Sequence, residues 1–263
     1  MAEAERLTAS FTSDLPRPTD HPSDAWGREP LDVPSLRLGS GDARPLITVA
    51  PEGALAALGL APAPRVLADR DRDRFEGYLG EILAALGLDL GTPATRDTPR
   101  RFLSALVDAT DGYEGDPKLV TSFATECRGG ADCDLAQIVE GPIPFSSLCE
   151  HHALPFTGQV WLGYIAHEQI LGISKLTRLV RVVTRRFAVQ ERVTHDLADA
   201  LASLTDAHGV AVYVEAEHMC TRTRGIREHG SRTRTTAYRG GYERDRSLRE
   251  EFRDIAGIGR GER

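Results

Sequence analysis

The sequence predicts an α+β domain in which an antiparallel sheet is covered by helices on one side. Three observations point there. Residues 156–165 (FTGQVWLGYI), 209–216 (GVAVYVEA) and 231–238 (SRTRTTAY) alternate, or are rich in β-formers, as strands are. Residues 175–187 and 189–204 carry apolar stripes at helical spacing. The order along the chain is two helices, strands, two helices, two strands and a helix.

Taken in order, residues 1 to about 65 differ from the rest. They hold nine of the fifteen prolines and show weak periodicity apart from a short helical stretch at 53–60. They read as a mostly disordered extension, with 66–263 as the folded domain. From Asp69, the residues Phe75, Leu79, Ile82, Leu83 and Leu86 recur at helical spacing, and Gly87 can end that helix. Asp97-Thr98-Pro99 opens a second helix, with Phe102, Leu103, Leu106 and Val107 as its stripe and Arg100 and Arg101 on its first turn. Residues 121–134 are polar and Gly-rich and read as a loop holding Cys127 and Cys133, at a gap unusual for zinc. Residues 136–144 suit a strand. Ser174 is an N-cap candidate for the helix that follows. On that helix Lys175, Arg178, Arg181 and Arg185 fall within an arc of about 120°, opposite an apolar side. The functional reading is an anion site, and the bland one a solvated basic face. The strand at 209–216 delivers His218 and Cys220 at its end. Residues 247–255 form a final helix.

The 263 residues suffice for a large domain with an extension, and the net charge of −7 argues against a nucleic-acid binder. No apolar run reaches the roughly 18–20 residues a bilayer requires. The N-terminus lacks a basic region followed by an apolar one, so a cytoplasmic location is expected. In a reducing compartment the four cysteines are ligands, nucleophiles or buried thiols rather than disulfides.

The chemistry concentrates in Ser147-Leu148-Cys149-Glu150-His151-His152. Cys-x-x-His brings a thiolate and an imidazole to a common point through one turn. His218 and Cys220 recur about seventy residues later, on one face if that stretch is a strand end. Cys149, His152 and Cys220 would make a catalytic Cys₂His zinc site with an open position, leaving His151 and His218 for proton transfer. The competing reading from spacing is a closed structural zinc that takes one of those histidines as fourth ligand. Lys175, Arg178 and Arg224 could converge on a polyphosphate if the fold brings their segments together.

From about residue 69 to the final helix, the chain resembles GTP cyclohydrolase I. The resemblance rests on DTPRR, CEHH, GISKL, VQER and HMC-x-x-x-RG in that order. It implies zinc ligands Cys149, His152 and Cys220. It implies catalytic histidines His151 and His218, with His218 protonating the guanine imidazole. It implies ribose and triphosphate contacts from Arg101, Ser174, Lys175, Arg178 and Arg224, and guanine recognition by Gln190 and Glu191. The implied reaction converts GTP and water to 7,8-dihydroneopterin triphosphate and formate, by ring opening, loss of formate, ribose rearrangement and reclosure. The implied architecture is the tunnelling fold, assembled as a ring-shaped homodecamer of two pentamers with sites at subunit interfaces. Nucleic-acid and membrane partners are not expected. The alternative is a non-catalytic or specialised-pathway homologue that binds a nucleotide beside a structural zinc.

Overall fold

The computed structural model describes residues 47–49, 52–124, 137–167 and 169–259. The elements are β1 (Ile47–Val49), α1 (Glu52–Ala57), α2 (Asp69–Ala85), α3 (Thr98–Ala109), β2 (Thr121–Ala124), β3 (Gln137–Cys149), β4 (Pro155–Ile165) and β5 (Gln169–Ile170). There follow α4 (Ile173–Thr184), β6 (Phe187–Ala188), α5 (Gln190–Thr205), β7 (Gly209–His218), α6 (Met219–Arg222), β8 (Thr233–Gly240), α7 (Gly241–Arg244) and α8 (Arg246–Ile255). The α+β class holds.

The main sheet has the order β6-β3-β4-β7-β8. Its four long strands are antiparallel, while β6 joins β3 in parallel through Leu148↔Phe187 and Cys149↔Ala188. A second sheet, β1-β2-β5, is antiparallel. It gives residues 121–124 a strand where the sequence reads as loop, because pairing partners on both sides outweigh a weak local preference. Cys127 and Cys133 lie outside the described residues.

Alternation along β4 and β7 explains the core. Val160, Leu162 and Tyr164 of β4 and Val210, Val212 and Val214 of β7 are buried with Leu176, Leu179, Val180 and Val183 of α4 and Val193, Leu197, Leu201 and Leu204 of α5. Each such side chain stabilises the fold by about 1.5–3 kcal/mol relative to exposure. The opposite face is not bare. Ala211 and Tyr213 form a second cluster with Tyr242 of α7 and Phe252 of α8, and Trp161, Val139 and Ile165 pack against it. Helices α7 and α8 therefore cover part of the second face as well, beyond the one-sided expectation, while Glu215, Arg232 and Arg234 form ion pairs elsewhere on it. The close approach of α8 requires Gly163, where a Cβ would lie 2.6 Å from Phe252 Cδ2.

The end of the proline-rich stretch packs into the domain. Leu55 and Leu60 are buried in the main core. Arg65 donates to Thr110 Oγ1 at 2.9 Å and to the Val107 carbonyl at 3.0 Å. Arg186, at the start of the β6 edge, donates to the carbonyls of Gly59 at 2.7 Å and Gly112 at 2.8 Å. Both guanidiniums lie over the Tyr113 ring, 5.8 and 5.3 Å from its centre. The Arg186 carbonyl in turn accepts from the Leu148 N–H at 3.2 Å and the Ser147 hydroxyl at 3.1 Å. Residues 1–46, the bulk of the expected extension, lie outside the described residues.

α2 and α3 pack on each other and leave Tyr78, Ile82, Leu86 and Phe102 exposed. Among the described residues no helix is long and apolar enough to cross a membrane.

Candidate metal centre

Cys149 closes β3. Its N–H donates to the Leu154 carbonyl at 2.8 Å, and its carbonyl accepts from the N–H groups of His152 at 3.2 Å and Ala153 at 2.8 Å. The turn folds back on itself, with Ala153 in the left-handed region at φ 54°. That curl brings His152 Nδ1 to 3.7 Å from Cys149 Sγ and His151 Nδ1 to 4.0 Å. Two neighbours anchor the turn. The Glu150 N–H donates to the Ala188 carbonyl at 3.1 Å, and its carboxylate takes both Arg192 guanidinium nitrogens, at 2.5 and 3.3 Å.

The other half of the centre arrives from β7, whose register pairs His218 with Phe156 at the start of β4. The strand stops at His218, which is the extended N-cap residue of α6, and Cys220 lies inside that helical turn. The expected strand alternation at 218–220 is thus replaced by a turn. The result is still convergence: one donor atom each from Cys149, His152 and Cys220 lies within 4.8 Å of the others. Cys149 is buried, Cys220 half-buried and His152 exposed, so the trio has an open side. Two sulfurs and an imidazole suit a borderline-soft divalent cation. Burial, and then the neighbouring Cys149 sulfur, push the Cys220 thiol up. A bound cation would reverse that preference by stabilising the Cys220 thiolate.

His218 lies beside the trio. Its ring stacks on Phe156 at 4.7 Å and 2°, and its Nε2 is 2.8 Å from Gln190 Oε1. Burial lowers its pKa, partly offset by the Glu191 carboxylate. Glu191 itself is exposed on the first turn of α5. Gln190 turns inward: its side chain is 1% exposed and bonds Val214, Thr233, Thr235 and His218. Arg224 is exposed, and its charge acts on Cys220.

The remaining cations gather elsewhere. Ser174 is not the cap of α4: Gly172 is, in extended geometry, and Ser174 sits exposed in the first turn. Lys175 donates to the Lys118 carbonyl, Arg178 pairs with Asp116 at 2.8 Å, and Arg185 pairs with Asp111. Burial pushes the Asp116 carboxyl up, but the Arg178 hydrogen bond and the Lys118 N–H outweigh it and hold it below the usual carboxylate range. Burial, then the Arg178 charge, lowers the Lys175 pKa. Asp111, Asp116, Arg178, Arg181 and Arg185 line a cleft of about 490 Å³.

These cations and the sulfur trio occupy opposite parts of the sheet. β4 leaves the metal turn and runs 11 residues away from it, about 33 Å at strand rise. α4 starts beyond the far end and returns over 12 residues, about 18 Å. Lys175 and Arg178 lie in its first half, so intrachain convergence with Cys220 does not occur. Arg101 stands apart again, exposed on α3, donating to the Ala94 carbonyl at 3.2 Å and 3.6 Å from Asp97.

Phe156, Glu150 with Arg192, and Asp116 were absent from the sequence expectations. Phe156 and Glu150 lie within or next to the CEHH segment, whereas no local pattern signals Asp116.

Residues 75–257 match the family model described as GTP cyclohydrolase I. The chain is 38% identical over 177 residues to GTP cyclohydrolase 1 of Pseudoalteromonas translucida (strain TAC 125), covering 67% of this chain and 94% of that one. It is 40% identical over 184 residues to GTP cyclohydrolase 1 of Saccharomyces cerevisiae, covering 70% and 74%. It is 41% identical over 173 residues to GTP cyclohydrolase 1 of Geobacillus kaustophilus, covering 65% and 88%.

Proposed function

The chain belongs to the GTP cyclohydrolase I family, and from that premise we propose that it converts GTP and water to 7,8-dihydroneopterin triphosphate and formate. The product feeds folate or pterin synthesis in the cytoplasm. The observation that carries the reading is the convergence of Cys149, His152 and Cys220 beside the stacked imidazole of His218.

Zinc is the ion proposed. Cys149, His152 and Cys220 would hold it, and bound zinc supplies a water of near-neutral pKa. The protein's own groups do the rest. His218 and His151 exchange protons with the guanine imidazole as it opens and releases formate. Glu191 accepts from guanine N1–H and the exocyclic amine together. Ser174, Lys175, Arg178, Arg224 and Arg101 hold ribose and triphosphate, so that remote binding energy keeps the substrate in place while its other end is rebuilt.

Because Lys175 and Arg178 lie far from the sulfur trio of their own chain, the complete site requires a second chain. The exposed Tyr78, Ile82, Leu86 and Phe102 on the α2–α3 pair support burial between subunits. We propose the tunnelling fold closed into a ring-shaped homodecamer of two pentamers, with each site shared across an interface.

The test is incubation of zinc-loaded protein with GTP, following formate and a fluorescent pterin after oxidation; no turnover sinks the reading. His218→Ala should abolish turnover and leave the metal bound. Metal loss in that variant would instead make His218 a ligand. One observation favours a second reading: His151 Nδ1 is 4.0 Å from Cys149 Sγ, within reach of becoming a fourth donor that closes the site. A ligand count on the cobalt-substituted protein separates a closed four-ligand site from an open one.

A further inference from the structure

We infer that Gln190 is the positioning residue of His218: its buried side-chain carbonyl keeps a proton on Nε2 and so leaves Nδ1 as the atom that meets the substrate.

The orientation of the Gln190 amide follows from its surroundings. Its Nε2 lies 3.2 Å from the Val214 carbonyl and 3.0 Å from the Thr233 carbonyl. Carbonyl oxygens only accept, so the nitrogen must be the atom that faces them. Thr235 Oγ1, at 3.2 Å, shares the donation. The threonines close the circuit. The Thr194 hydroxyl donates to the Gln190 backbone carbonyl at 2.8 Å and contacts Thr235 Oγ1 at 2.6 Å. With the Thr194 hydrogen committed, Thr235 donates to Thr194 and keeps a lone pair for the glutamine.

Gln190 Oε1 then faces His218 Nε2 at 2.8 Å. An amide oxygen has no hydrogen to give, so Nε2 carries the proton. Turning the amide over would set its oxygen against two backbone oxygens, an arrangement too costly at a site 1% exposed. The flat stack on Phe156 fixes the plane of the ring. Both polar atoms of the Gln190 side chain thus have partners inside the protein. The inference about the working atom rests on the proposed role of His218; the tautomer does not.

Nitrogen NMR of the full-length, zinc-loaded protein with labelled histidine reads the tautomer directly. The expected result is a protonated nitrogen at His218 Nε2; an Nε2 that carries no proton overturns the inference. In the GTP assay, Gln190→Met should lower kcat roughly 10–100-fold, leave KM within about twofold, and leave the GTP-to-ITP preference unchanged. A raised KM with kcat intact, or a lost preference for GTP, would make Gln190 a substrate contact and reject the positioning role. If the unsubstituted protein fails to turn over GTP, the cyclohydrolase reading falls, while the NMR result still decides the tautomer.

Discussion

The two ends of the main sheet solve their chemical problems differently. At the end where β3 stops, one chain supplies a full donor set: Cys149 and His152 from one turn and Cys220 from the adjacent helical turn, with Glu150–Arg192 and Gln190 holding the surroundings. Toward the other end, Lys175 donates to a carbonyl and Arg178 pairs with an acid of their own chain, and Arg178 lines a cleft with Asp111, Asp116, Arg181 and Arg185. A metal needs donors fixed closely around one point, which short-range sequence can provide. A nucleotide is longer than either cluster, and in the proposed ring its recognition would be divided between segments of two chains.

The largest effect should come from breaking the self-contained end. Cys220→Ser is expected to lose the metal, by elemental analysis, and with it all detectable turnover. Lys175→Ala should keep its metal. Mixing these two chains then tests the division directly. In a ring that shares sites across interfaces, random reassociation leaves about a quarter of sites with both halves intact. At GTP well below saturation, activity should therefore rise on mixing above the sum of the two separate proteins; no rise after subunit exchange would return both halves to one chain.

A smaller effect belongs to Arg178→Ala. Losing one charge-assisted bond to a phosphate costs about 1.5–3 kcal/mol, so KM for GTP should rise roughly 10–100-fold while metal content is unchanged. Asp116→Asn is the mildest change. The Asp116 carboxyl is held below its ordinary value, so its pair with Arg178 adds stability above the usual carboxylate range and loses it as pH falls through the lowered value. The pair is partly exposed, and the variant should lose less than about 1 kcal/mol at neutral pH. Urea melts should show the two proteins converging in acid. A difference that persists in acid would mean that Asp116 acts through something other than its charge.

The asymmetry between the ends also governs what could be read from the sequence. Cys149 and His152 sit three residues apart, and their chemistry announces itself. Cys220 was found for its residue type, although a helical turn and not a strand presents it. Amphipathic α4 and α5 and alternating β4 and β7 were legible because their periods match their packing. The cover on the second face was not, since it depends on Phe252 reaching Gly163 across the chain. The inward set of Gln190 was not legible, because its neighbours Val214, Thr233 and Thr235 come from two other strands, and nothing local separates a glutamine that faces solvent from one sealed inside. Asp116 carries no pattern; only the fold sets it against Arg178. The N-cap of α4 moved to Gly172 because an extended backbone can open a helix without a side-chain oxygen.

Tyr113 rests between two guanidiniums, one of which, Arg186, grips Gly59 on one side and steadies the β3 edge on the other. A shortened chain that begins at residue 66 would keep every sulfur and imidazole yet discard Leu55, Leu60, Gly59 and Arg65. Its metal turn would hang from an edge that has lost its backing. Anyone seeking the smallest working piece of this enzyme should cut upstream of β1, and should treat the stretch from there to Arg65 as scaffolding for the cysteine turn.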